Sequence, residues 1–596
     1  MRDGDRQGGS FLESRWLPVI VILTALLLLT GRYLLYGVPH EYLTGEYKGT
    51  FEGDFDFTLE LVESVREWGR LPLWSRTYSG PIAVFASNFH VFEQALLYPL
   101  TRNLALSIKI LQAAQLLVAG TGMYFLSFHL WKDRVAAVFS ALLYMFTPFY
   151  IGHLLSYLHY TGVYLLAPFV YLLTLKTIRE RSFYHALFLS LVATYSLLAH
   201  PQNVFIGGIF YGLFFALVLM HGSFESAREG ELRVFFKKII PLTALIIAVT
   251  FLLSAFITIP TLIDNYPYLR TSWVKGAPEL VKVDAGHIGS HSESILASVT
   301  LQHWPWLETP LKGGEYPPWG YMAVYTMPFL LASLSLLLEF NWITFAFVFM
   351  TLSSVQMAQG VHGRPDLFSI ASRYIPFFGM SRTPYAYINS SILVFCLLSS
   401  VSFAWLSGRL SETLAGVKKT LGKTGVRWLL LAMLIAPYLM AARYYGNHYN
   451  WTFISAKEPE YLSKVWKWMR DNNGEGGRVI ETCGIPTAMI LGQRMLPNQI
   501  DLLERYHRKE YLGRYLSLLG FKYVITPSLH SQRHRTFDKK GYMVPSVFDG
   551  SESMEEYYSA LTTEYHYMYE RLEQDPGFIL DTAGTKDVAV FENRSA

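Results

Sequence analysis

The sequence is a succession of long apolar runs, joined mostly by short polar connections. A transmembrane helix needs about 20 mainly apolar residues to cross the hydrocarbon core of a bilayer. By that measure the runs predict about eleven helices, at Leu17–Tyr36, Leu104–Leu130, Val135–Ile151, Tyr157–Leu175, Phe183–Ala199, Val204–Met220, Ile239–Ile259, Trp319–Leu338, Trp342–Ala358, Tyr385–Leu406 and Trp428–Ala442. The helices at Trp342 and Tyr385 fit a re-entrant path as well as a spanning one.

Composition supports the same class of protein. Hydrophobic residues make up 52% of the 596 residues, and charged residues only 16%. Soluble domains carry about 25% charged residues. We therefore expect a mainly α, polytopic membrane protein whose surroundings include the lipid bilayer. The formal net charge of +4 gives no reason to propose nucleic acid as a partner.

The distribution of basic residues predicts the orientation. The connections after the second, fourth, sixth and tenth predicted helices contain Lys132 and Arg134; Lys176, Arg179 and Arg181; Arg228, Arg233, Lys237 and Lys238; and Arg409, Lys418, Lys419, Lys423 and Arg427. The short connections on the other side, residues 152–156 and 200–203, contain neither Lys nor Arg. Because basic loops remain in the cytoplasm, the N-terminus is predicted to be cytoplasmic. An odd number of helices then places the C-terminus outside the cytoplasm.

This orientation divides the chain into two predicted domains. Residues 1–445 form a transmembrane module with a first external loop at 37–103 and a large external loop at 260–318. Residues 446–596 form a small extracytoplasmic α/β domain. Its predicted strands are Arg478–Thr482, Phe521–Ile525 and Asp587–Phe591, and Glu510–Leu519 is predicted to be helical because it ends at Gly520, a residue typical of helix C-termini.

The first external loop contains two carboxylates two residues apart, Asp54 and Asp56, shortly before an amphipathic segment at Glu60–Trp68. Such a pair can supply a general base or part of a Mg²⁺ or Mn²⁺ shell. It can equally begin the following helix, since Asp is favoured at N-caps and in first turns. The residues alone leave these alternatives open.

Other polar side chains gather near the predicted external ends of the helices: His90, His159, His200, Gln202 and Arg382. The interiors of the apolar runs contain no Asp or Glu, which counts against ion-coupled transport. His287 and His291 have helical spacing, but the neighbouring Gly and Ser residues favour a loop rather than a metal site.

Several motifs resemble those of the GT-C superfamily of membrane glycosyltransferases. The acidic pair ahead of a juxtamembrane helix is similar to that family's first loop, as are Trp68-Gly69-Arg70-Leu71-Pro72 and Leu97-Tyr98-Pro99-Leu100. His200-Pro201-Gln202 and Leu519-Gly520-Phe521-Lys522-Tyr523-Val524-Ile525 look like the YfhO-like branch of multispanning proteins. The resemblance implies a GT-C-like transmembrane bundle that transfers sugars from polyprenyl-phosphate donors, of the dolichyl or undecaprenyl type, to a glycan, lipid or protein acceptor.

The resemblance also implies roles for the residues. An acceptor hydroxyl needs a base, for which we favour Asp56, with Asp54 as a second ligand or orienting group, although either is compatible with the base role. The departing phosphate needs a cation, for which we favour Arg382 because its planar fork fits phosphate oxygens. His200, Gln202, His90 and His159 would bind substrate, and the displacement would be inverting. A divalent cation at Asp54 and Asp56 stays open. The alternative is a lipid or glycan transporter, or a non-catalytic scaffold for cell-surface glycan assembly.

Overall fold

Helices dominate the computed structural model of the chain. It describes residues 14, 16–36, 61–62, 64–66, 74–75, 80–81, 90–101, 104–152, 158–198, 203–275, 292, 295, 319–375, 378, 384–413, 415–445, 478–481, 495–496, 521–527, 572–574, 578–581 and 588–593. The chain divides into two compact units. The first contains Met1–Leu35, Ser87–His90 and Ile110–Thr452, and the second contains Tyr36–Ala86, Val91–Lys109 and Phe453–Ala596.

The described α-helices follow the apolar runs closely. They are α1 (Leu17–Tyr36), α2 (His90–Thr101), α3 (Leu104–Trp131), α4 (Arg134–Met145), α5 (Pro148–Gly152), α6 (Leu158–Glu180), α7 (Phe183–Leu198), α8 (Asn203–Arg228), α9 (Leu232–Lys275), α10 (Trp319–Tyr325), α11 (Met327–Leu338), α12 (Trp342–Ala358), α13 (Leu367–Tyr374), α14 (Asn389–Thr413) and α15 (Ala415–Tyr445). Short 3₁₀ helices lie at Gly360–His362 and Pro384–Ile388. Helix α15 is broken at Gly422, whose φ is 69°.

Each of the predicted apolar segments is helical. Seven helices in the described part of the chain are long and apolar enough to cross a membrane, and four shorter apolar helices accompany them. The protein is a polytopic membrane helix bundle, as predicted. The segment predicted at Tyr385 lies within Pro384–Thr413, one of the seven long helices, whereas the one at Trp342 is among the four shorter ones. The number of spans stays a prediction.

Helices α2, α9 and α13 occupy parts of connections that were predicted to be non-helical. Helix α9 continues through Pro260 to Lys275, although Pro260 was predicted to begin an external loop. A proline removes one backbone hydrogen bond, but helices of membrane proteins tolerate this loss. Helices α2 and α13 lie within connections that were predicted to be external and to contain no helix. Both are short, with 12 and 8 residues, so they do not form the long apolar runs by which the other helices were recognised.

The centre of the first unit is formed by α4 and α14. Every residue of α4 from Val135 to Met145 is buried. Helix α14 packs against α4, α11, α12 and α15. Its serines allow close approach, since Ser399 Oγ donates to the carbonyl oxygen of Pro328 at 2.9 Å and Ser402 Oγ to that of Leu331 at 2.6 Å. Small hydroxyl residues of this kind are enriched where membrane helices pack together.

The connections that were predicted to be cytoplasmic meet at one end of the first unit. Arg427, five residues after the break of α15 at Gly422, forms an ion pair with Asp133 before α4. Arg181 after α6 contacts Ser226 near the end of α8 at 3.5 Å, and Arg179 lies 5.9 Å from the ring of Trp342 at the start of α12. We call this the basic end. That these connections lie at the same end agrees with helices that alternate in direction, as predicted. The assignment of this end to the cytoplasm stays a prediction.

The second unit contains two groups of strands. In its first loop, β1 (Trp74–Ser75) pairs antiparallel with β2 (Gly80–Pro81). In the C-terminal part, β3 (Arg478–Glu481), β4 (Met495–Leu496), β5 (Phe521–Pro527), β6 (Phe578–Asp581) and β7 (Val588–Asn593) form a mixed sheet of order β4-β3-β5-β7-β6. Strands β3, β5 and β7 confirm the three predicted strands. The predicted helix at Glu510–Leu519 lies outside the described residues, and so the α/β assignment stays a prediction.

Candidate active site

The predicted site residues lie largely outside the described part of the chain. Asp54, Asp56, His200, Gln202 and Arg382 belong to this group. His90 is the first residue of α2 and His159 lies in the first turn of α6, and for both the structure describes the backbone alone. The described residues that border Asp54 and Asp56 belong to the second unit, and those that border His200, Gln202 and Arg382 belong to the first.

The segment after the acidic pair is helical over its described residues. Residues 61, 62 and 64–66 are helical. Leu61 and Ser64 are buried, whereas Val65 and Arg66 are exposed. Residues three apart share one face of a helix, so this short helix buries one side and exposes another. The amphipathic segment predicted at Glu60–Trp68 is confirmed over its described residues.

An aromatic cluster borders the connections that contain Gln202 and Arg382. Phe378, four residues before Arg382, contacts Phe205, three residues after Gln202, with ring centroids 5.7 Å apart. Phe378 also contacts Phe368 of α13 at 5.1 Å and stacks on Tyr387 at 6.0 Å. The described neighbours of the two predicted substrate-binding segments thus converge on Phe378.

Buried hydroxyl groups lie directly beneath this aromatic cluster. Ser354 Oγ donates to the carbonyl oxygen of Tyr387 at 2.5 Å, and it accepts from Ser391 Oγ at 2.8 Å and from the backbone N–H of Ser391 at 3.2 Å. Asn389, the first residue of α14, is only 5% exposed. The sequence interpretation missed these polar groups because they fall inside an apolar run. The triplet Asn389-Ser390-Ser391 was the signal that could have revealed them.

A close contact joins three connections that are predicted to be external, one of which contains Arg382. Gly360 has a φ of 52°, and a Cβ atom there would lie 2.2 Å from Ser292 Oγ and 2.9 Å from Pro384 Cγ. Ser292 belongs to the predicted large loop at 260–318, Gly360 follows α12, and Pro384 begins the 3₁₀ helix after Arg382. Only glycine fits this combination of conformation and space without strain.

The first turns of α6, which contain His159, are followed by a stack of buried tyrosines. Tyr164 stacks between Tyr144 at 4.2 Å and Tyr150 at 4.4 Å. Tyr144 Oη donates to the carbonyl oxygen of Tyr164 at 2.6 Å, and Thr147 Oγ1 lies 2.9 Å from Tyr164 Oη. Stacking and hydrogen bonding together fix the position of α6 against α4 and α5.

The described residues contain no group of three or more His, Cys, Asp or Glu side chains that would suit a metal ion. Asp54 and Asp56, the predicted cation ligands, lie outside that part of the chain, and so do His287 and His291. The divalent cation therefore stays a proposal.

Comparison with known proteins identifies the fold. No family model matches the sequence, and no curated protein sequence matches it. Among solved structures, ArnT from Cupriavidus metallidurans bound to undecaprenyl phosphate has a TM-score of 0.50 at 11% identity, over 88% of this chain and 95% of that chain. The chain has the GT-C glycosyltransferase fold.

A second solved structure with the GT-C fold is the arabinofuranosyltransferase AftD from Mycobacteria. Its TM-score is 0.50 at 12% identity, over 97% of this chain and 40% of that chain. This chain therefore spans less than half the length of AftD. The predicted GT-C-like fold class is confirmed, and the narrower YfhO-like assignment stays a prediction.

Proposed function

We propose that the chain is a membrane glycosyltransferase that transfers a sugar from a polyprenyl-phosphate donor to an acceptor hydroxyl on the extracytoplasmic side. The observation that carries the proposal is the GT-C fold over 88% of the chain, together with an acidic pair ahead of an amphipathic first-loop helix. The similarity to ArnT bound to undecaprenyl phosphate supports a lipid-linked donor of that class.

The proposed reaction needs one proton transfer and one displacement. A carboxylate of the pair, Asp56 in our preferred assignment, takes the proton of the acceptor hydroxyl. The acceptor oxygen attacks the anomeric carbon of the donor sugar, and the bond from that carbon to the phosphate oxygen breaks. Polyprenyl phosphate leaves with the electron pair of that bond. A single displacement of this kind inverts the anomeric configuration.

The remaining predicted residues are assigned to binding. Arg382 would stabilise the negative charge that grows on the leaving phosphate, since charge-assisted bonds from a guanidinium are strong and oriented. His200, Gln202, His90 and His159 would contact the sugar or the phosphate. Pro384, two residues after Arg382, packs closely on Gly360, so the chain is held in place at that residue.

The experiment is glycan profiling of a deletion strain complemented with wild type, Asp54→Asn or Asp56→Asn. Asparagine serves as an N-cap about as well as aspartate, but it cannot act as a base. These variants therefore separate catalysis from a helix-start role. We expect at least one variant to lose the glycan product while it accumulates normally in the membrane. The control is Glu229→Gln, an exposed acid between α8 and α9, which should retain full synthesis.

Full glycan synthesis by both well-expressed variants would overturn the proposal. It would favour the alternative of a lipid or glycan transporter, or of a non-catalytic scaffold with the same fold. For a purified active enzyme, the anomeric configuration of the product relative to the donor tests the inverting displacement separately.

A further inference from the structure

Basic side chains surround His129 at the ends of α3 and α6, at the basic end of the bundle. The cluster consists of His129, Lys132, Lys176 and Arg179, and we call it the basic corner. The charges of both lysines and of Arg179 lie close enough to the His129 imidazole to act on it electrostatically, together with one acid, Glu180.

The packing of the two helices explains why these residues come together. A Cβ atom on Gly122 of α3 would lie 2.7 Å from the ring of Phe169 on α6, so the helices touch at this level. Both helices run toward the basic end. His129 lies seven residues after Gly122, and Lys176 seven residues after Phe169. Seven residues are two helical turns, or about 10 Å along the axis, and return to the same helix face.

Two cations of the basic corner are fixed by neighbouring aromatic rings. Lys132 has a φ of 58°, and its ammonium lies 5.9 Å from the ring of Phe128. Arg179 lies 5.9 Å from the ring of Trp342, which stacks on His221 at 3.8 Å. Both side chains are exposed, so their positive groups are accessible to a ligand at this end of the bundle.

The basic corner has more positive charge than its surroundings neutralise. Within the described part of the chain, Lys132, Lys176 and Arg179 form no ion pair with a carboxylate, and Glu180 contacts His185 Nδ1 at 3.3 Å. The helix macrodipoles of α3 and α6 contribute about half a negative charge each, which balances only part of the three cations. By contrast, Arg427 at the same end is paired with Asp133.

The histidine supplies a second feature that an anion would satisfy. Among the described residues, His129 Nε2 is buried without a hydrogen-bond partner. The His129 residue is itself half-buried, so a turn of its ring would bring Nε2 within reach of a phosphate oxygen, to which an imidazole N–H can donate. Phe125, four residues before His129 and on the same face of α3, is an exposed apolar side chain. A ligand with a phosphate group and hydrocarbon chains matches both the basic side chains and the apolar side chain beside them.

We propose that the basic corner binds the phosphate group of an anionic phospholipid. Basic pockets between transmembrane helix ends are suited to lipid headgroups, and each nearby cation contributes about a fivefold gain in binding. The proposal concerns the end of the bundle opposite the aromatic cluster around Phe378, since α8 begins beside that cluster and ends at the basic end. It holds whether or not the proposed glycosyl transfer is correct.

The test uses the full-length protein in nanodiscs with equal amounts of phosphatidylglycerol and phosphatidylcholine, and measures the lipids that remain bound after transfer to detergent. The variant Lys132→Gln/Lys176→Gln/Arg179→Gln removes the three cations. The control variant Arg233→Gln/Lys237→Gln/Lys238→Gln removes three exposed basic residues at the start of α9. We expect wild type and the control to retain phosphatidylglycerol selectively. The first variant should lose about 100-fold in retention, from about fivefold for each cation.

Equal losses in the two variants would overturn the proposal, because they would indicate a general surface attraction. Unchanged retention in the first variant would also overturn it. If the triple variant does not fold, Lys176→Gln should lose about fivefold while Lys176→Arg retains binding. Inorganic phosphate serves as the second probe. Protection of the wild type against thermal unfolding by inorganic phosphate, equal to that by the lipid, would overturn the lipid assignment in favour of a free-anion site.

Discussion

The contact at Gly360 gives the sharpest prediction for stability. Replacement by alanine adds a Cβ atom 2.2 Å from Ser292 Oγ and 2.9 Å from Pro384 Cγ, in a backbone with a φ of 52°. The left-handed conformation costs a non-glycine residue about 1–2 kcal/mol. Forcing a methyl group into a filled site costs about 1–3 kcal/mol more. We therefore expect Gly360→Ala to lower the free energy of unfolding by about 2–5 kcal/mol.

The matched control is Gly230→Ala, between α8 and α9. Gly230 has a φ of 75°, but a Cβ atom there would meet nothing within 4 Å. Only the backbone cost of about 1–2 kcal/mol applies to it. The difference between the two variants therefore isolates the contribution of packing at Gly360.

The assay is equilibrium unfolding in mixed micelles, followed by helical circular dichroism as the denaturing detergent is increased. Ser292→Ala in the Gly360→Ala background removes the nearest atom and should recover part of the loss. A double-mutant cycle between the two positions should give a coupling of about 1 kcal/mol or more, as residues in contact do. Equal destabilisation by Gly360→Ala and Gly230→Ala, or additive effects in the cycle, would refute the reasoning.

Two further pairs of variants test other parts of the bundle by the same assay. Asp133 accepts hydrogen bonds from two backbone N–H groups at the start of α4 and forms an ion pair with Arg427. Asp133→Asn keeps the N-cap and should lower the free energy of unfolding by about 1 kcal/mol. Asp133→Ala loses both interactions and should lower it by about 2 kcal/mol. Equal destabilisation by Asp133→Asn and Asp133→Ala would contradict a separate contribution from the N-cap. Phe347 is fully buried against Phe214 at 5.5 Å, while Phe345 is 52% exposed. Phe347→Ala should cost about 3 kcal/mol and Phe345→Ala below about 1 kcal/mol, and similar values would contradict the assigned faces.

The helical part of the fold was largely predictable because the length of an apolar run indicates the length of the helix that it forms. The helices Leu17–Tyr36 and Trp342–Ala358 match their predicted bounds at both ends. Breaks inside the runs were missed. Two predicted helices are interrupted, one after Met145 and the other around Thr326. Pro148 and Pro328 lie in the first turns of the helices that follow these interruptions. Proline is favoured at that position, so these prolines were a usable signal.

The arrangement of the site was harder to predict from the sequence because it depends on contacts between residues that are far apart in the chain. Ser292, Gly360 and Pro384 come from three different connections, and no local pattern predicts that they touch. The same holds for Asp133 and Arg427, which lie 294 residues apart. Local pattern did identify the amphipathic helix after Asp56, since its buried face has helical spacing.

Low sequence identity also limits what the GT-C fold implies for this chain. ArnT covers 88% of the chain at only 11% identity, so the helical framework is shared while most side chains differ. Function depends on the site rather than on the fold that holds it. The predicted reactive residues Asp54, Asp56 and Arg382 belong to connections that are predicted to be external, and Phe378 and Pro384 are the described residues on either side of Arg382. Under the proposed function, we expect sugar and acceptor selectivity to depend on residues 37–103, 276–318 and 359–384, which connect the helices of the framework.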